Sequence, residues 1–186
     1  MPEPRIAPLI DPSPEVEELL DKTKVREGPP LNIFATMAHH SRLLKRFNVL
    51  GGLFLGRGVL PPRARELVIL RTAWRTNCEY EFGQHTLLGR QAGLTDDEIQ
   101  RLTEEAAGWP EADALLVRLA DEVHVHHDVS DELWAQLEGR WNQAEMIELV
   151  TLAGFYGMVA TFLNATRVQL DPGVPGWPAA TGRSKF

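Results

Sequence analysis

Apolar residues recur at helical spacing along most of this chain, and no stretch shows the strict alternation of a half-buried strand. Residues 1 to about 14 are proline-rich and read as an irregular arm. Ser13 then serves as N-cap and Pro14 as the first residue of a short helix, stopped by Gly28-Pro29-Pro30. Leu31 to His40 is a second short helix. Over Ser41 to Phe54, Leu43, Leu44, Phe47 and Leu50 fall on one side of a third. Pro61-Pro62 launches the next helix, Arg75-Thr76-Asn77 breaks it, and Thr76 or Asn77 caps its successor. Gly93 ends that successor. Thr95 and Glu98 have capping-box spacing for a helix running to about Ala107, before a break at Gly108-Trp109-Pro110. Leu115, Leu116, Leu119, Ala120 and Val123 define a helix over Glu111 to His127. Ser130 caps another to about Arg140, and Ala144 to Leu170 is the longest. The remainder is rich in Pro and Gly and reads as irregular.

These elements predict an all-α, single-domain helical bundle. Residues 1–30 form an N-terminal arm with a short helix, 31–170 the helical domain and 171–186 an irregular tail. Leu149 to Leu163 contains no charged residue. A membrane span needs about 20 apolar residues, and this run is shorter and interrupted by Thr151, Gly154, Gly157 and Thr161. It reads as a buried central helix or a subunit contact, where Ala153, Gly154 and Gly157 let another helix approach. Glu148-Leu149-Val150-Thr151-Leu152 also echoes Glu66-Leu67-Val68-Ile69-Leu70. Were this a duplication, Ala160, Leu163 and Arg167 would stand opposite Cys78, Glu81 and His85, and the second copy would have lost its chemistry.

Composition narrows the function classes. The 186 residues suffice for one domain with a real core. A formal net charge of -7 argues against nonspecific nucleic-acid binding. A single cysteine excludes an intrachain disulfide and any Cys-x-x-Cys redox pair, and fits a reducing cytoplasm. The N-terminus has neither a basic segment nor an apolar core of signal-peptide type.

The chemistry concentrates in ELVILRTAWRTNCEYEFGQH, residues 66–85. Cys78, Glu81 and His85 stand at i, i+3 and i+7 and share one helical face. A hairpin of antiparallel helices would bring Glu66 back toward them. Two carboxylates (Glu66, Glu81), a thiol (Cys78), a phenol (Tyr80) and an imidazole (His85) make a kit for proton transfer. Burial beside a second carboxylate keeps one carboxyl protonated as a general acid, and His85, one turn on, hydrogen-bonds Glu81 or exchanges a proton with it. Arg71 or Arg75 offers a cation for a substrate carboxylate. Cys78 has two readings: a reactive thiol, if His85 or a helix N-terminus lowers its pKa, or a small buried apolar residue. No established zinc spacing such as His-Glu-x-x-His occurs, and the reading calls for no metal and no cofactor. His124 and His127 share a helical face that could bind a metal, but the cluster His124, His126 and His127 better suits a helix C-terminus, as do His39 and His40.

Glu66, Cys78, Tyr80-Glu81 and His85, followed by Ala92-Gly93-Leu94-Thr95, resemble the carboxymuconolactone decarboxylase family, part of the alkylhydroperoxidase-D-like superfamily. The resemblance is strongest over Pro61 to Thr95. It implies the helical fold of that superfamily and a homo-oligomer, a trimer or hexamer, with sites near subunit contacts. Redox-active members carry Cys-x-x-Cys-x-x-x-His, and here Glu81 stands where the second cysteine would be. The resemblance therefore favours a cofactor-free lyase or proton-transfer enzyme acting on a small carboxylated lactone or organic acid. Glu66, Glu81 and His85 would do the acid/base work, Cys78 would line or assist the site, and Tyr80 would donate a hydrogen bond. The alternatives are a thiol-dependent peroxidase using Cys78 with an external reductant, and a non-catalytic oligomeric binding module. Partners are expected to be a small-molecule substrate and further copies of the chain, with neither nucleic acid nor membrane.

Overall fold

The computed structural model describes residues 3–23, 28–104 and 108–178. These form helices throughout, with no strand among the described residues. In chain order they are α1 (Pro14–Asp21), α2 (Asn32–Met37) with a 3-10 turn at Ala38–His40, α3 (Ser41–Gly56), α4 (Pro62–Arg75), α5 (Glu79–Gln91), α6 (Asp96–Arg101), α7 (Glu111–His126), α8 (Asp131–Glu138) and α9 (Gln143–Thr166).

α4 is the centre of the bundle. Pro61 is its N-cap and Pro62 its first residue, where the missing N–H costs no hydrogen bond. Every residue from Glu66 to Trp74 is buried, as a helix surrounded on all sides requires. It packs against α5, α7 and α9. α9 is long and apolar enough to cross a membrane by length and composition. Its Leu149, Leu152, Ala153, Phe155, Tyr156, Val159, Ala160 and Leu163 are instead buried in the same core. Ala153 thus faces inward, while nothing lies within 4 Å of where a Cβ on Gly154 or Gly157 would stand.

The turn between α4 and α5 positions the motif. Asn77 is left-handed, with φ 54°. The Cys78 N–H donates to Ala73 O at 2.9 Å and the Asn77 N–H to Trp74 O at 3.2 Å. This is a Schellman stop in which asparagine takes the position glycine usually fills. Thr76 is therefore the C-cap of α4, and its hydroxyl donates back to Thr72 O at 2.7 Å. Cys78, not Thr76 or Asn77, is the N-cap of α5. The segment that would correspond to this turn in the Glu148 echo lies inside α9, which continues unbroken to Thr166. The echo thus covers one helix, not a repeated helix pair.

Three helix ends differ from the sequence expectation. α1 stops at Asp21, where the Thr23 hydroxyl donates to Leu20 O, ahead of Gly28-Pro29-Pro30. α6 has the expected Thr95–Glu98 capping box but ends at Arg101. The guanidinium of Arg71 takes the carbonyls of Leu102 and Glu104, which removes them from a longer helix; residues 105–107 lie outside the described residues. α9 ends at Thr166, not Leu170, because Arg167 is left-handed and Thr166 O accepts from the Arg5 N–H of the arm.

Beyond α9, residues 168–178 run as an irregular strap across α5. Asp171 accepts hydrogen bonds from the Tyr80 hydroxyl, from Gln84 Nε2 at 2.7 Å and from the Asn32 N–H at 2.9 Å. The Trp177 ring packs on Trp74 and Phe82, with centroids 5.3 and 5.0 Å apart. Gly83 is where the strap crosses: a Cβ there would stand 2.1 Å from Pro175 O.

Candidate active site

The helical hairpin brings Glu66 and His85 together. His85 Nδ1 lies 2.7 Å from Glu66 Oε2, and Arg65 Nε donates to Glu66 Oε1 at 2.8 Å. Burial alone would raise the Glu66 carboxyl pKa; the His85 imidazole and the Arg65 guanidinium outweigh it and hold the group below its ordinary value. Glu66 is thus the ionised acceptor, and the proton of the pair sits on Nδ1. Nε2 is left as the ring nitrogen available for exchange.

His85 lines a cavity of about 640 Å³ between α3, α5 and α9. Glu81 lines it as well, but the expected Glu81–His85 hydrogen bond is not made. Both Glu81 oxygens are enclosed and have no hydrogen-bond partner. Burial pushes this carboxyl well above its ordinary pKa and so favours its protonated, neutral form. Asn48 Oδ1 is a third enclosed atom of a cavity residue without a partner. The rest of the wall is mainly apolar.

Tyr80 belongs to the cavity lining, but its hydroxyl is committed to the strap. It donates to Asp171 and accepts from the Ile33 N–H at 3.2 Å. Burial, followed by Asp171, raises its pKa. Cys78 is not among the lining residues and is fully buried in the core. Burial, then the negative charge that Glu81 carries once ionised, pushes its thiol up; the Tyr80 and Glu81 amides of the first turn of α5 pull the other way and lose. Glu81 and His85 thus share a helical face directed at the cavity, and Cys78, at the N-cap, is turned from it.

The structure also withdraws the expected carboxylate anchor. Arg71 and Arg75 both clamp Asp121 of α7, with Nε–Oδ1 distances of 2.6 and 2.7 Å. Tyr156 was not among the residues singled out from the sequence, yet its ring stands edge-on to His85 with centroids 4.9 Å apart. Burial raises its hydroxyl pKa, and Glu81 and Glu66 add to that. The one sequence signal is that the chain has two tyrosines and this one lies within the uncharged run of 149–163. Arg65, Gln84 and Asp171 left no comparable signal. Among the described residues, no three His, Cys, Asp or Glu side chains converge as a metal set would.

The sequence profile of the carboxymuconolactone decarboxylase family matches residues 42–122. A comparison with curated proteins returns no match. Among solved structures, an uncharacterized peroxidase-related protein from Silicibacter sp. TM1040 superposes with a TM-score of 0.79 at 16% identity, covering 94% of this chain and 97% of its own. A peroxidase-related protein with an alkylhydroperoxidase AhpD core, from Ralstonia eutropha JMP134, gives 0.79 at 18% identity, covering 92% and 94%. A cysteine-to-alanine form of the debrominase Bmp8, in complex with 2,3,4-tribromopyrrole, gives 0.74 at 14% identity, covering 90% and 91%. At these identities the likeness speaks for the fold. Residues 42–122 thus match the carboxymuconolactone decarboxylase family model, and the chain has the all-helical fold of the alkylhydroperoxidase-D-like structures.

Proposed function

We propose that this protein is a cofactor-free proton-transfer enzyme whose acid/base machinery is His85 and Glu81. The observation that carries this reading is the 2.7 Å Glu66–His85 pair on the wall of a cavity that also holds an unpartnered carboxyl. Glu66 fixes the imidazole tautomer, so His85 Nε2 takes a proton from a C–H or O–H of the substrate. Glu81 donates its own proton to the carbanion, enolate or carbonyl oxygen that results, and the two groups exchange roles in the reverse direction. Loss of carbon dioxide followed by protonation, the lyase reaction suggested by the family, is one use of this arrangement. An enzyme of the same fold, the debrominase, supports a catalytic role for the scaffold.

Thiol peroxidase chemistry at Cys78 is less well supported. The thiol lies outside the cavity lining, its pKa is raised, and the chain has no second cysteine to resolve an oxidised one. Self-association is part of the proposal. α3 exposes Leu43, Val49, Leu50 and Leu53, and α9 exposes Ile147 and Met158, an amount of apolar surface that suits contact with further copies of the chain.

The test is deuterium incorporation from heavy water into a panel of ketones, lactones and keto acids, followed by NMR together with carbon dioxide release. Enzyme-dependent exchange or release should vanish in His85→Gln and persist in Cys78→Ala. Peroxide consumption that requires Cys78, with no exchange on any panel member, would replace this reading with the peroxidase one.

A further inference from the structure

The cavity has a lopsided chemistry. Phe34, Phe47, Phe155 and Tyr156 line it, and consecutive ring centroids stand 6.3, 5.2 and 5.4 Å apart. With the Tyr156–His85 contact, they form a continuous aromatic wall ending at the imidazole. Its volume falls in the range of small-molecule sites, roughly 300–1,000 Å³. Among the described lining residues the cations are Lys22 and Arg65, and each is already paired, with Glu18 at 2.7 Å and Glu66 at 2.8 Å. A substrate carboxylate would enter beside the ionised Glu66 and lose its hydration with no unpaired cation among the described lining residues in return. Glu81, by contrast, lines the cavity and carries a carboxyl whose two enclosed oxygens have no partner.

We propose that the cavity takes an uncharged aromatic molecule bearing a hydroxyl or carbonyl group, and that this group hydrogen-bonds the side chain of Glu81. The ring packs along the aromatic wall in offset or edge-on contact, which brings the carbon next to the polar group toward His85. The inference rests on the proton-transfer reading for its chemistry, but its evidence is a matter of binding alone. It also replaces the small carboxylated acid expected from the sequence, because the arginines that would have anchored such a substrate are held by Asp121.

The experiment is calorimetric titration of the full chain at pH 7 with 2-naphthol, 2-naphthoate and decahydro-2-naphthol. 2-Naphthol should bind about tenfold or more tightly than 2-naphthoate, the scale of one well-made hydrogen bond set against a desolvated charge. It should also bind more tightly than the saturated alcohol. Glu81→Leu, which removes an unpartnered carboxyl at similar volume, should fold and weaken 2-naphthol about tenfold. Glu81→Gln, which keeps a donor and an acceptor, should stay within about threefold. Equal or tighter binding of 2-naphthoate, no preference for the aromatic ring, no binding of any probe, or a native-like Glu81→Leu protein that binds 2-naphthol as wild type does would each overturn the proposal. His85→Gln separates the two readings. Intact naphthol binding with no exchange chemistry in any form of the protein removes the proton-transfer reading alone, whereas exchange on the ketone panel without naphthol binding removes this one alone.

Discussion

His85 Nδ1 and Glu66 Oε2, nineteen positions apart in the chain, meet at 2.7 Å across the α4–α5 hairpin. The pair works because the Schellman turn at Asn77 reverses the chain within three residues, so that α5 runs back along α4. A carboxylate held against one imidazole nitrogen sets which proton the other can take.

Breaking the pair should therefore be nearly as damaging as removing the base. His85→Gln is expected to reduce turnover by about 10²–10⁴-fold, the usual contribution of a general acid/base. Glu66→Gln should come within about tenfold of that loss, because its amide stabilises the wrong imidazole tautomer. Measurement of kcat on a substrate from the exchange panel checks both, with circular dichroism to confirm that each variant is folded.

Glu81 gives a pH-dependent signature in stability. Its folded pKa is raised above the ordinary carboxyl value of 4.5. Below that value the carboxyl is neutral in both folded and unfolded chains, so Glu81→Gln should leave stability unchanged there. As pH rises past it, the unfolded chain ionises and the folded one does not, so wild type loses stability relative to Glu81→Gln. The gap in urea midpoint between the two should open from pH 4.5 toward neutrality. At pH 7, Glu81→Leu should stabilise by about 1–3 kcal/mol, the cost of an unsatisfied buried group. A gap that opens toward acid instead would show that Glu81 is ionised in the fold.

Arg71 is a structural cation. It is almost fully enclosed, bonds Asp121 through two nitrogens and takes the carbonyls of Leu102 and Glu104. Arg71→Met should cost about 3–5 kcal/mol in urea unfolding. Arg71→Lys should recover little, since one ammonium does not reproduce the planar fork. Turnover per folded molecule should be unchanged.

Gly83 tests the strap. With a Cβ 2.1 Å from Pro175 O, Gly83→Ala forces residues 174–178 off α5. The expected cost is about 1–3 kcal/mol. Trp177 would leave its packing on Trp74 and Phe82, read as a red shift in tryptophan emission. Because Val174 lines the cavity, 2-naphthol affinity should change with it.

Local rules carried most of the helix map. Pro61-Pro62, the Thr95–Glu98 box, Ser130 and Gly93 act through backbone groups a few residues away, and each marks the boundary it was expected to mark. The family spacing likewise marks Glu66, Glu81 and His85. Three features lay beyond that reach. α6 and α9 end where distant partners, Arg71 and Arg5, take their carbonyls. Cys78 and Glu81 share a periodicity, yet Cys78 is an N-cap turned into the core and Glu81 faces the cavity, a distinction set by the left-handed Asn77 rather than by spacing.

By itself, then, the sequence determined the helical class, most of the boundaries and the motif, because these depend on periodicity, capping and residue type within a few positions. Tertiary structure alone decided which charged groups are free to act. Arg71 and Arg75 were drawn to Asp121, 46 to 50 positions away, Tyr80 to Asp171, 91 away, and Tyr156 to His85. Pairing energy depends on distance in space and on desolvation, neither of which a linear pattern encodes.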